Sequence, residues 1–381
     1  MTYFTSVLLC CACVLASPYL MANDKQHKNP TCLKVTLTGT NGGPNPFNGL
    51  TGPGTLVEFG AKPDCNEARL QFDAGRGSTL SLSKLGLKTS NLDLLAFTHL
   101  HSDHIDGFFD LIFNRWHITG INEQSNFPPL DILCSDPQKT KPPAKHTIDC
   151  KKLVANIGAP VVLSGEIAQR LSENPGRNPG GPSAITKVKE LKGAHDTPAH
   201  AWSKNVSSGR VNVSYIRVNH IPGSIAYRVD TPAGSVVIGG DATNEKPIAL
   251  RKTSTSDNVA LLVKTPSPAN IFVHSATSNI LAPGSGYPPK FFERQSTAED
   301  LGTLAKASNV QYLMLTHLIP AIGSNKAGPS ILKSALTAED WKNEAAKTGF
   351  PRSNVIVGPD RTSLTISNTP QITTKNQPIA R

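Results

Sequence analysis

With 381 residues the chain can fold as one large α/β domain or two smaller ones, and either buries an ample core. Its formal charge of +10 is spread without a long basic run and aromatic residues make up only 6% of it, which excludes a module built from a basic stripe and aromatic stacking platforms. The positive excess suits an anionic substrate or an anionic envelope surface.

Residues 1–22, "MTYFTSVLLCCACVLASPYLMA", carry no charged side chain and contain an apolar run from Val7 to Ala16. This is the pattern of a secretory signal peptide, with cleavage near Ala16 or Ala22. A membrane anchor needs about 20 apolar residues, and the run is interrupted at Ser17-Pro18. The mature chain is therefore expected to be exported, periplasmic or secreted, without stable membrane insertion. The cysteines outside the leader are Cys32, Cys65, Cys134 and Cys150, an even number that suggests two disulfides in an exported chain. If "CLKVTLTG" and "TLVEFG" are antiparallel neighbours, Cys65 falls beside Cys32, and Cys134 is left to pair with Cys150. Free thiols are the alternative.

A single domain is expected over 31–370. It opens with the strand "TCLKVTLTGT" and a Gly/Pro/Asn-rich loop, "GTNGGPNPFNGLTGPGT". "LVEFG" and "RLQFDAG" read as a hairpin, "STLSLSKLGL" as a helix, and "LLAF" as a short buried strand. "DGFFDLIFNRW" is the next helix, with apolar residues at 108, 109, 112 and 113. Residues 171–200, including "SENPGRNPGGPS", read as a loop insertion. "VNVSYIRVNH", "AYRVDT", "GSVVIGGD" and "YLMLTH" read as strands. "STAEDLGTLAKAS", with a Ser296…Glu299 capping box, and "LTAEDWKNEAAKTG" read as helices.

The chemistry concentrates after "LLAF", in "THLHSDHIDG". His99 and His101 are two apart in extended chain and project to one side; Asp103 and His104 fall where the chain turns into a helix. Zinc takes imidazole nitrogen and carboxylate oxygen alike. Ligand types recur where other strands end, the place where sites of α/β sheets gather. "SYIRVNH" ends in His220, "SVVIGGD" in Asp241 and "YLMLTH" in His317.

On "QFDAGRGS", "THLHSDHIDG", "VNHIPGSIAYRVDTPAGSVVIGGDATNE", "FVHSAT" and "LMLTHLIP", the sequence resembles the metallo-β-lactamase superfamily, in its branch of ribonuclease Z and arylsulfatase-type hydrolases. The resemblance implies a four-layer αββα sandwich with a dinuclear zinc site at one edge. It implies that His99, His101 and His220 hold a first zinc, that Asp103, His104 and His317 hold a second, and that Asp241 bridges them. A hydroxide between the metals would be the nucleophile. Asp103 would orient it, and Asp73 would steady the ligand imidazoles from behind. His274, in "FVHSAT", is a catalytic candidate.

The sequence also departs from the ribonuclease Z pattern. The family's arm for gripping transfer RNA would lie between the ligands matching His220 and Asp241, where only residues 221–240 are available. Gln295 stands where that family has a proton-donating His, and Gln cannot serve as a general acid. The expectation is an exported hydrolase of a small anionic ester, phosphodiester or sulfate ester, that binds no nucleic acid. A lactonase or β-lactamase-like activity is the alternative, and a non-catalytic metal-binding protein of the same fold a further one. Arg228, Arg294 and Lys246 are candidates to attract the anion, and Tyr287, Phe291 and Phe292 to line the pocket. A homodimer is compatible with the chain.

Overall fold

In the computed structural model of the chain, the residues described are 1, 30–120, 127–140, 146–243, 258–281, 295–327, 330–367 and 373–375. The signal-peptide expectation therefore lies outside the described residues, as do Lys246, Tyr287, Phe291, Phe292 and Arg294. No helix among the described residues is long and apolar enough to cross a membrane.

Apolar residues alternate along β1 (Thr31–Gly39), so that Leu33, Val35 and Leu37 face one side and are fully buried. β2 (Gly54–Ala61) and β3 (Ala68–Phe72) pair antiparallel, as the hairpin pattern implies. After α1 (Ser78–Lys84) the pairing turns parallel, with β4 (Leu94–Ala96), α2 (Ser102–Ile105), α3 (Phe108–His117) and β5 (Leu130–Ser135). A ribbon of β6 (Gln138–Lys139) and β7 (Thr147–Ile148) leads through α4 (Cys150–Ile157), α5 (Ala159–Leu163) and α6 (Glu166–Glu173) to β8 (Thr186–Leu191), parallel to β5.

The second sheet begins with an antiparallel meander of β9 (Ala199–Val206), β10 (Gly209–Arg217), β11 (Ile225–Thr231) and β12 (Gly234–Ile238). Helix α7 (Asn258–Lys264) then crosses to β13 (Ile271–Thr277), and α8 (Ala298–Ala307) to β14 (Tyr312–Ile319), both parallel. The ribbon of β15 (Lys326–Ala327) and β16 (Ser330–Ile331), helix α9 (Ala338–Ala346) and β17 (Val355–Ile356) complete that half. β18 (Ser363–Ser367) returns to the first sheet beside β1, with β19 (Thr373–Lys375) outside it.

The sheets therefore run β19-β18-β1-β2-β3-β4-β5-β8 and β17-β14-β13-β12-β11-β10-β9. One core lies between them, joining Leu33, Val35 and Phe72 to Val213, Tyr227 and Met314. A second packs α7, α8 and α9 on the outer face of one sheet, through Leu262, Leu301 and Trp341. A third packs α1, α3 and α4 on the other, through Leu82, Trp116 and Val154. This is the four-layer αββα sandwich.

Two local expectations need correction. Residues 171–200 are not all loop: they contain the end of α6 and the whole of β8, an edge strand whose alternation of Lys187, Val188 and Lys189 is half-exposed. The capping box of α8 is one residue later than expected. Thr297 Oγ1 accepts from Asp300 N–H at 3.1 Å and the Asp300 carboxylate receives Thr297 N–H, because Ser296 Oγ is drawn inward to the Ala242 carbonyl at 2.8 Å. In the structure the four cysteines are paired as Cys32–Cys65 and Cys134–Cys150, with Cα separations of 5.3 and 6.3 Å. Cys32 lies opposite Gly60 in the β1–β2 register, which brings Cys65 round the turn to it.

Candidate metal centre

The ligand-type side chains arrive from both sheets at the same edge. Past β4 the chain stays extended, and His101, with φ −68 and ψ 150, stands just before α2. The first turn of α2 then carries Asp103 and His104 inward, both buried. His220 follows β10 and Asp241 follows β12. Asp241 is brought into place by Gly239-Gly240: Gly240 has φ +60, and a β-carbon on Gly239 would lie 2.1 Å from His274 Cδ2. His317 sits at a bulge in β14. Thr316 is opposite Ser275 and Leu318 opposite Ala276, so His317, at φ +44, is the extra residue whose side chain the bulge re-aims.

These residues form three overlapping groups whose ligand atoms lie within 4.8 Å of one another: His99, His101 and His220; His99, His104 and Asp241; and Asp103, His104 and His317. His101 Nδ1 is 3.0 Å from His99 Nε2 and 3.2 Å from His220 Nε2. His317 Nε2 is 3.1 Å from both Asp103 Oδ2 and Asp241 Oδ2. Asp241 Oδ2 also lies 3.5 Å from His104 Nε2 and 3.8 Å from His220 Nε2, so its carboxylate stands between the first group and the last.

Behind them, Asp73 holds the assembly from a left-handed backbone position, φ +58. Its Oδ2 is 2.9 Å from His104 Nδ1, and its two oxygens accept from Thr98 N–H at 2.7 Å and Thr98 Oγ1–H at 2.8 Å. Thr98 Oγ1 in turn lies 3.1 Å from His99 Nδ1. Gln295 Nε2 donates to Asp241 Oδ2 at 3.4 Å. Thr98 and this contact of Gln295 were not evident from the sequence, since neither residue carries a pattern that announces it.

Burial and mutual charge set the protonation. Burial, then the neighbouring His104, pushes His99 well below the ordinary imidazole value. Burial works the same way on His104 and His317 but is outweighed by carboxylates: Asp241 and Asp73 raise His104, and Asp241 and Asp103 raise His317. Burial would push the Asp103 carboxyl up, yet the His317 hydrogen bond and the charges of His317 and His104 hold it at about 2.

The donor set fits divalent cations. His104 Nε2 and Asp241 Oδ1 are buried with no hydrogen-bond partner among the described residues, a rare condition for buried polar atoms. The nitrogens of His99, His101 and His220 face one another at 3.0 to 3.2 Å, and imidazole with carboxylate is the donor chemistry of zinc and similar metals.

His274 lies beside the centre, whereas Arg228 falls away from the role expected of it. His274 is fully buried, its Nδ1 lies 2.7 Å from the Ser275 carbonyl, and burial pushes it down to about 4. Its ring packs under the Gly239-Gly240 turn that carries Asp241, with Nε2 buried and without a hydrogen-bond partner among the described residues. Arg228 is 1% exposed and donates to the carbonyls of Leu262, Val263 and Ser267 at the end of α7, as well as to Asp230. It caps a helix and does not face an anion.

No family model matches the chain. It is 29% identical over 325 residues to the ribonuclease Z of Mycobacterium sp. strain KMS, covering 84% of this chain and 92% of that protein. Among solved structures it resembles the metallo-β-lactamase fold protein YhfI of Bacillus subtilis, with a TM-score of 0.52, 18% identity, and 88% and 99% of the two chains covered. The human short-form tRNase Z gives a TM-score of 0.50 and 18% identity over 87% of this chain and 98% of that one. The two facing sheets, with the His/Asp cluster at their edge, are those of the metallo-β-lactamase fold. The chain thus has the metallo-β-lactamase fold and is similar over most of its length to ribonuclease Z, which supports a metal-dependent hydrolase.

The expectation that it binds no nucleic acid is overturned by the same comparison. The relative matched over 92% of its length is a ribonuclease. The short span from His220 to Asp241 is occupied by β11, β12 and their turns. It reports on one surface extension, and says nothing of the His/Asp centre beneath.

Proposed function

We propose that the chain hydrolyses phosphodiester bonds, with RNA as its substrate class, at a two-zinc centre held by His99, His101, Asp103, His104, His220, Asp241 and His317. The observation that carries this reading is the pair of ligand groups joined through the Asp241 carboxylate, which suits two cations side by side. Such ions, when bound, supply Lewis-acid charge to phosphoryl oxygens and a water of lowered pKa. Asp103, held ionised by His317 and His104, would be placed to orient a water at that site. Asp73 keeps His104 turned so that Nε2 faces the centre. The net charge of +10 favours a polyanion at long range.

Export completes the reading. It is supported by the uncharged leader over residues 1–22 and by the pairing of the four remaining cysteines.

The test is a panel of substrates offered to zinc-loaded protein: bis(4-nitrophenyl) phosphate, a short single-stranded RNA, a precursor transfer RNA, 4-nitrophenyl sulfate, a lactone and a β-lactam. The two phosphodiester classes, aryl and RNA, should be cleaved fastest. A sulfate, lactone or β-lactam hydrolysed with higher kcat/KM than every phosphodiester would overturn the proposal.

A further inference from the structure

The loop from Thr40 to Thr51 is held at both feet by one carboxylate that belongs to no ligand group. Asp360 Oδ1 accepts from Thr40 N–H at 2.9 Å and from Thr40 Oγ1–H at 2.8 Å, while Oδ2 accepts from Thr51 N–H at 2.7 Å. Asp360 is 7% exposed, so these bonds are sheltered from water. Asn41 N–H closes the loop onto the Thr51 carbonyl at 3.1 Å, and Leu318 N–H ties its start to β14 through the Thr40 carbonyl at 2.9 Å. Farther along, Arg76 Nη1 donates to the Pro44 carbonyl at 3.0 Å. A β-carbon on Gly42 would lie 2.8 Å from His317 Nδ1, so the loop backbone rests on that imidazole.

The next residue then points its N–H at the centre. Gly43 N–H is directed at His317 Nε2, 3.4 Å away, the ring nitrogen that also faces Asp103 and Asp241. Nε2 has a single lone pair. A cation held there would use that pair. The imidazole would then offer Gly43 no acceptor, and no other acceptor stands within hydrogen-bond distance among the described residues. A β-carbon on Gly43 would meet nothing within 4 Å, so the space beside it is open. Its φ of +78 is a backbone state that glycine adopts without strain.

We propose that the Gly43 N–H donates a hydrogen bond to a non-bridging phosphoryl oxygen of substrate at the centre, and that Asp360 is the positioning residue that holds it there through the loop. A backbone donor fixed in advance beside a cationic centre stabilises developing negative charge without reorganisation. The inference rests on the phosphodiester reading, and inorganic phosphate serves as the probe of both.

Zinc-loaded protein labelled with ¹⁵N-glycine is titrated with inorganic phosphate, the Gly43 amide being assigned by its change in Gly43→Ala. The Gly43 amide proton should move downfield and saturate at the dissociation constant measured by calorimetry. Asp360→Ala should keep its zinc content, lose that shift, and bind phosphate about tenfold more weakly, the size of one charge-assisted hydrogen bond. Thr40→Val removes only the hydroxyl donor to Asp360; it should show part of the same loss, and it carries the test if Asp360→Ala does not fold. Phosphate binding with Gly43 unmoved, or with unchanged affinity in the loop variants, overturns the inference and leaves the phosphodiester reading standing. If phosphate does not bind at all, that reading falls and the inference with it.

Discussion

His104 and His317 are raised by the carboxylates around them, whereas a metal ligand must offer a bare nitrogen. Loading zinc into stripped protein near pH 7 should therefore release protons, measurable by calorimetry in buffers of different ionisation enthalpy; no release would contradict the assignment. The same groups set the pH dependence of the metal-free protein. The raised imidazoles contribute stability below their unfolded value of 6.5, lost as pH rises through the folded values. Asp103, held at about 2 against 3.8, contributes above 3.8, and that contribution is lost as pH falls toward 2. His99, His101 and His274, pushed down by burial, act the other way and lose stability as pH falls below 6.5; the metal-free protein should thus melt highest near pH 6.5, and a thermal midpoint that climbs steadily above pH 7 would contradict this. Asp73 can be tested without disturbing its backbone, because Asn tolerates φ +58. Asp73→Asn should weaken zinc binding about 10- to 100-fold, read by competition with a chromophoric chelator.

At the scale of elements, the Gly239-Gly240 turn carries its own prediction. A β-carbon at 239 collides with the His274 ring at 2.1 Å, so Gly239→Ala should push the turn that bears Asp241. Overpacking of this kind costs about 1 to 3 kcal/mol, and zinc affinity should fall with it. Gly239→Ala with His274→Ala should bind zinc more tightly than Gly239→Ala alone; an equal or weaker affinity would show that the turn is not braced by His274. The convergence of the seven candidate ligands was legible in the sequence because each follows an apolar strand whose period is local, and His99, His101, Asp103 and His104 lie on one strand-to-helix turn. The capping of α8 was legible only to within one residue, since Ser296 and Thr297 are both good caps and the choice was made by Ala242, distant in sequence. β8 was hidden because an edge strand with alternating lysines resembles a solvated loop. Arg228 misled because one buried charge satisfied by three carbonyls looks, in sequence, like any surface arginine.

Over the whole molecule, what could not be read was whatever joins distant segments. Asp360 reaches Thr40 and Thr51 from the far end of the chain, and nothing in "VGPDRT" announces it. The expectation of no nucleic-acid binding failed for a related reason: the length of one connection was taken as the measure of a surface built by many. The two cysteine pairs close 33 and 16 residues of chain, both within the first sheet and its helices. If oxidised on export, each should add about 2 to 4 kcal/mol, so a reducing agent should lower the thermal midpoint. Peptide mapping that found four free thiols in exported protein would count against that part of the account. The central claim is that the His/Asp centre is a metal-dependent phosphodiester-cleaving site, and it is tested most directly by the rate on bis(4-nitrophenyl) phosphate before chelation, after chelation and after zinc is restored. The account predicts that the rate disappears on chelation, returns with about two equivalents of zinc, and stays absent in His101→Ala; a stripped protein that keeps its rate, or a reloaded one that never regains it, would contradict it.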